Sequence, residues 1–165
     1  MPAGKTYEPI ATSTLSTSST SVTFNSISGY TDLVLVFSIK ANTASLNSGI
    51  RFNSDSGTNY SNTSLEGNGT TASSQRFTNA TFIRTDAIAY ATTDSFSVKI
   101  VNIQNYANST TFKTTLTRSN TASTGVDALV GLWRNTNAIT AIEVYARNDA
   151  FATGSTFTLY GILAA

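Results

Sequence analysis

The chain has 165 residues, 10 basic and 9 acidic side chains, a formal charge of +1, and neither cysteine nor histidine. Those absences exclude disulfides, thiolate or histidine metal ligation, and catalysis by Ser-His-Asp or Cys-His groups. No basic stripe suits counterion release on nucleic acid, and no apolar run of about 18 residues could span a membrane.

Thr, Ser and Asn number 29, 22 and 15, whereas charged residues are only 12%, so the exterior is neutral and rich in hydroxyls and amides. Thr suits a pleated, half-exposed strand, and Ser and Asn favour turns. Disordered chains lack aromatics; this one has 9 Phe, 7 Tyr and 1 Trp. It folds, and its length fits one domain.

In chain order, residues 6–15 read as a first strand anchored by Tyr7 and Ile10. A hydroxyl-rich turn leads to the alternation Val22-Thr23-Phe24-Asn25. The clearest strand places Leu33, Leu35, Phe37 and Ile39 on one parity, with Val34 and Val36 making one end apolar on both faces. Residues 41–74 are rich in Gly, Asn and Ser and read as long surface loops around a short strand at Ile50-Arg51-Phe52. Strand signals return at 76–84 and 87–90. Phe96, Val98 and Ile100 then alternate with Ser95, Ser97 and Lys99. Phe112, Thr114 and Leu116 alternate with Lys113 and Thr115, and Ala128, Val130 and Leu132 with Leu129, Gly131 and Trp133. Ile142, Val144 and Ala146 follow, and residues 156–163 form the last strand. Roughly eight to ten short strands without a helix predict an all-β antiparallel sandwich, jelly-roll-like, with apolar faces turned inward. Residues 1–6 read as a short N-terminal arm and 7–165 as one sandwich domain. The N-terminus lacks the apolar core of a signal peptide.

No catalytic motif stands out. Gly4-Lys5-Thr6 copies the end of a phosphate-binding loop but lacks its earlier glycine and strand. Asp86 and Asp94 come nearest to a carboxylate pair and read as solvated loop acids. From Asn53 to Asn59 oxygen ligands alternate. A calcium loop, however, needs Gly sixth and Glu twelfth, where Gly57 is fifth and Ser64 twelfth. A tight turn, with Asp55 accepting backbone bonds and Gly57 at positive φ, fits better. No catalytic, cofactor or metal site is expected. The candidate partner contacts are Tyr60 and Tyr106, placed near turns and expected to be exposed, with Asn53, Asp55 and Asn59.

Several phrases occur together: Tyr7-Glu8-Pro9-Ile10-Ala11-Thr12, Tyr30-Thr31-Asp32-Leu33-Val34-Leu35, Arg51-Phe52-Asn53, Asn59-Tyr60-Ser61, Val130-Gly131-Leu132-Trp133, and the close Gly154-Ser155-Thr156-Phe157-Thr158-Leu159-Tyr160-Gly161-Ile162. Their order resembles small jelly-roll virion surface proteins of tailed bacteriophages, over nearly the whole chain. The resemblance implies a non-enzymatic domain on the virion exterior, synthesised in the host cytoplasm. In one use such a domain is a capsid decoration (cement) protein bound to the major capsid protein or other virion proteins. The alternative is a tail- or head-fibre receptor-binding module that attaches to a host surface glycan. A homo-oligomer, with a trimer favoured, is expected, with no cofactor, nucleic acid or membrane. The shared residues read as framework: Trp133, Phe157 and Tyr160 as core aromatics, and Gly131 and Gly161 as places of close backbone approach.

Overall fold

The computed structural model describes residues 6–163; most of the expected arm, residues 1–5, lies outside them. Fourteen strands and no helix occur among the described residues. They are β1 (Tyr7–Thr14), β2 (Ser21–Phe24), β3 (Asp32–Ile39), β4 (Ser45–Leu46), β5 (Ser48–Phe52), β6 (Tyr60–Gly67) and β7 (Ala72–Ala80). Then follow β8 (Ile83–Arg84), β9 (Ala91–Thr92), β10 (Ser97–Ile103), β11 (Lys113–Thr121), β12 (Gly125–Trp133), β13 (Ile142–Ala146) and β14 (Thr156–Ile162). The excess over eight to ten comes partly from β4, β8 and β9, of two residues each.

Every pairing is antiparallel. A large sheet runs β1-β14-β3-β10-β11-β12-β6-β7, a smaller one β2-β13-β5-β8, and β4 pairs with β9. The sheets make an antiparallel, jelly-roll-like sandwich. Residues 41–74 are therefore not mainly loops. Ser45, Ser48, Ser61, Asn62, Thr63, Ser64, Ser73 and Ser74 sit on β4 to β7, and the remaining hydroxyl and amide residues form the turns between them.

One half of the sandwich follows the usual rule. Leu33, Leu35, Phe37 and Ile39 of β3 are fully buried, as are Phe157 and Leu159 of β14. Across from them lie Ile142, Val144, Ile50, Phe52 and Ile83, all at 0% exposure. Rings lock this core: Phe37 and Phe157 stack at 5.8 Å, and Phe151 meets Phe157 edge-on at 5.0 Å. Each such side chain contributes about 1.5–3 kcal/mol by leaving water. Trp133 is buried at 1% and packs on Phe52 and Tyr60, with centroids 5.5 and 6.3 Å away. Gly131 leaves room for Ile83 and Thr115, whose atoms lie 2.5 Å from where its Cβ would be. Gly161 lies under the ring of Tyr30, so a methyl there would collide with it. Tyr160 and Tyr7 depart from expectation. Tyr160 is only partly buried, and Tyr7, expected as an anchor, is 57% exposed. The two meet edge-on at 6.5 Å, paired across β1 and β14 rather than in the core.

The other half is built in reverse. Over the inner face of β10, β11 and β12 runs an irregular strap, residues 85–90, that belongs to no strand and stays partly exposed at Ala87, Ile88 and Tyr90. Buried peptide groups need partners, and a strap without a ladder must find them on side chains. Asp127 accepts from the amides of Ala87, Ile88 and Ala89 at 2.8, 3.3 and 2.8 Å. The Ala89 carbonyl accepts from Ser97 Oγ at 2.9 Å, Lys99 Nζ at 3.0 Å and Thr121 Oγ1 at 3.1 Å. Asp86, read from the sequence as a solvated loop acid, is fully buried and pairs with the equally buried Lys99 at 3.0 Å. Its carboxylate also accepts from the Ser48 amide, Ser48 Oγ and Asn47 Nδ2. Asp94 is exposed and takes no part.

Registration carries the pattern across the sheet. Lys99 faces Ser119, Ser119 faces Asp127, and Asp127 faces Glu66, a buried polar row on four adjacent strands. Glu66 accepts from Ser64 Oγ at 2.6 Å, Gln75 Nε2 at 3.1 Å and Ser73 Oγ at 3.2 Å. On the same inner face the hydroxyls of Thr115 and Thr117 have no hydrogen-bond partner.

Two substitutions on this face should therefore move stability in opposite directions. Lys99→Met strands the buried Asp86 carboxylate and should cost about 3–5 kcal/mol in urea unfolding. Thr117→Val removes an unpartnered hydroxyl at constant shape and should gain about 1 kcal/mol. Equal, small effects would mean that the strap does not need its polar bed.

Candidate docking surface

Strands alternate, so turning the polar parity inward sends the apolar parity out. Leu65 is 60% exposed, Val126 59%, Val130 53% and Leu116 52%, values foreign to strand residues of a sandwich core. Val98 and Ile100 are partly exposed, while their sequence neighbours Ser97 and Lys99 are at 0%. The inward placement expected for Val98, Ile100, Leu116 and Val130 is thus overturned, because the strap outcompetes them for the interior.

Register places these side chains side by side. Ile100 lies opposite Arg118, Arg118 opposite Ala128, and Ala128 opposite Leu65; Leu116 lies opposite Val130 in the next row. A concavity of about 580 Å³ opens on this face, lined by Leu65, Ala72, Ile100, Val126 and Ala128 together with Arg118. Arg118 and Arg76 are the only charged residues at outward positions of β6, β7, β10, β11 and β12. No carboxylate shares the face. Five strands about 4.8 Å apart and about 25 Å long give of the order of 600 Å² in projection. That is near the roughly 800 Å² each partner contributes to a standard interface. Thr63, Asn102, Thr114 and Arg118 share that face, so its apolar part is about a few hundred Å², a size at which an exposed patch is often functional.

The five residues expected to contact a partner have other duties. Tyr60 is fully buried and Tyr106 is 2% exposed, so neither is the surface aromatic its turn position suggested. Tyr60 Oη accepts from the Phe52 amide at 3.1 Å and donates to the Asp55 carbonyl at 3.0 Å; Tyr106 Oη accepts from the Tyr30 amide at 3.3 Å. Each hydroxyl finds a partner inside, which permits the ring to be buried. Asn53, Asp55 and Asn59 keep partial exposure but brace neighbouring loops. Asn53 Oδ1 accepts from the Thr140 and Ala141 amides, and its Nδ2 donates to the Ala138 carbonyl. Asp55 accepts from Gly57 N at 2.8 Å, Asn59 Nδ2 at 2.9 Å and Trp133 Nε1 at 2.7 Å. The expected turn is present, but positive φ falls on Asn53 and Ser54, at 52° and 58°, rather than on Gly57. No cluster of three metal-ligating side chains occurs among the described residues.

Compared with protein-family models, curated proteins and solved structures, the chain has no match. Its own geometry therefore carries the functional argument.

Asp55 yields a pH signature. Burial pulls its carboxyl upward, but hydrogen bonds from Trp133, Asn59 and Gly57 outweigh that and hold it below the ordinary carboxylate value. A depressed folded value stabilises the fold above the ordinary value and loses that contribution as pH falls through the lower one. Emission from Trp133, the single tryptophan, should therefore step below the usual carboxylate range in an acid titration. Asp55→Asn should abolish the step. A step that persists in that variant would assign it to another group.

Proposed function

We propose that the chain is a non-enzymatic virion structural protein of a tailed bacteriophage, a capsid decoration protein that seats the outer face of its large sheet on the capsid shell. The observation that carries this reading is the inverted half of the sandwich. Its folded state exposes Leu65, Leu116, Val126 and Val130 in one plane, so the free domain leaves a cost in water that contact with a partner removes. A rigid sheet suits such a role, since no side chain of the face needs ordering on binding beyond its own rotamer.

Charge on the face favours a partner over self-pairing through it. Arg118 sits among apolar neighbours without an acid on its own surface, and a shell protein carrying a carboxylate within an apolar patch would satisfy it. Assembly as a homo-oligomer, with a trimer expected, then uses other surfaces. The phage-virion part of this reading rests on the sequence resemblance. Its shared residues Gly131, Trp133 and Gly161 occupy tightly packed positions here.

The test is occupancy of purified particles. The wild-type chain should be present in copy numbers comparable with the shell protein. Leu65→Asp with Leu116→Asp, both at exposed positions on non-adjacent strands, should lower occupancy at least about tenfold while changing the unfolding midpoint little. Full occupancy by the doubly charged variant, or only a handful of wild-type copies per particle, would end this reading.

A further inference from the structure

The outer face of the small sheet has a different chemistry. In a chain with six arginines, three of them, Arg51, Arg84 and Arg147, gather here against one carboxylate, Glu143. Register sets Ser21, Tyr145, Gly49 and Arg84 in one row across β2, β13, β5 and β8, with Thr23, Glu143 and Arg51 in the next. Gly49 forms a bare floor: a Cβ there would come within 3.0 Å of Phe82 and 3.1 Å of Tyr145. Those two rings close over it edge-to-face at 5.6 Å.

Rings hold all three guanidiniums in place. Arg51 lies 4.3 Å over Tyr145, Arg147 4.9 Å over Phe82, and Arg84 3.7 Å over Phe77, which reaches in from β7. Arg51 is already engaged. Its Nε donates to the Thr81 carbonyl at 3.2 Å, and it pairs with Glu143 at 3.6 Å. Among the described residues the Arg84 and Arg147 guanidiniums have no hydrogen-bond acceptor. The acids beneath them are committed elsewhere, Asp86 to Lys99 and Glu66 to its hydroxyl and amide donors. Burial first, and then Arg147, push Arg84 below its ordinary value. The neighbouring Tyr145 hydroxyl is buried without a partner.

Stacking costs a guanidinium none of its N–H donors, so two planar forks are fixed in place with their hydrogen bonds unspent. Two mutually repelling guanidiniums, with Asp86 and Glu66 near Arg84 but bonded to other donors, are a poor choice for stability alone. They suit an incoming oxyanion. The hydroxyl-bearing flank, Ser21 and exposed Thr23, suits a polyhydroxylated scaffold, and no continuing basic track fits a nucleic-acid backbone.

We infer that the outer face of the small sheet is a binding site for a carboxylate-bearing saccharide, whose carboxylate is taken by Arg84 and Arg147. This inference rests on that face alone, not on the capsid reading.

Calorimetric titration with a galacturonate oligomer, a neutral glucose oligomer and inorganic phosphate tests it on the full chain. The galacturonate oligomer should bind and the neutral one should not. Arg84→Gln and Arg147→Gln should each weaken binding at least about tenfold, with unfolding midpoints near wild type. Lys40→Gln, a cation seated on Phe96 elsewhere, should change it little. Absence of galacturonate binding would overturn the proposal. Equal affinity for inorganic phosphate would reduce the site to a simple anion contact. Equal weakening by Lys40→Gln would reduce it to net charge.

Discussion

The interior must satisfy the peptide groups of residues 85–90, and the rest of the molecule is arranged around that need. A strap laid over the large sheet brings amides and carbonyls against its inner face with no ladder to receive them. Leaving even three of them unpaired would cost several kcal/mol, comparable with the whole margin of a domain this size. Asp127 takes three amides, and Lys99, Ser97 and Thr121 converge on one carbonyl. The Lys99–Asp86 pair then follows from the bed it lies in. Its desolvation is tolerable because both partners also bond to fixed neutral groups.

Period two makes this local requirement global. Once Ser97, Lys99, Ser119 and Asp127 are turned inward, Val98, Ile100, Leu116, Val126 and Val130 have nowhere to go but out. The apolar outer face is thus the necessary complement of a polar interior on the same strands. Beyond the strap the small sheet covers the large one, reaching as far as Gly131 and Trp133 of β12. There β3 and β14 turn their apolar residues inward in the ordinary way.

This division explains how far the sequence could be read. Strand positions were legible wherever alternation was clean, as in β3, β10, β11 and β12. The direction of each strand's faces was not. Alternation states that two faces differ, and only the tertiary neighbour states which one is inside. For β3 the neighbour is greasy; for Ser97 and Lys99 of β10 it is a strap of peptide groups and the pattern inverts, whereas Val101 and Ile103 on the same parity rejoin the apolar core. Asp86 was misread for the same reason, since its partner Lys99 lies 13 positions away and its burial depends on both. Tyr60 and Tyr106 were drawn to the surface by their turns, but each hydroxyl caps a backbone amide inside. Within 41–74, β6 mimics loop composition because its inward face carries Asn62, Ser64 and Glu66 rather than apolar residues. The small sheet's arginine face left no local sign, as Arg51, Arg84 and Arg147 are gathered from three distant segments.

The two outer faces differ in a way that matters for any assembly. The large sheet offers apolar area around Arg118, with Arg76 on β7, and such a surface gains most when water is fully excluded. The small sheet offers prearranged donors with little free apolar area, and it works while open to solvent at its rim. A layered sandwich separates the two by its own thickness, so occupation of one need not obstruct the other. Few other charges dilute this contrast: acids are scattered, and several are consumed inside by Lys99, Trp133 and the strap. A domain so sparing of charge has concentrated it where a sheet can aim it, and the interior demand that drove apolar residues onto one face left the opposite face to the arginines.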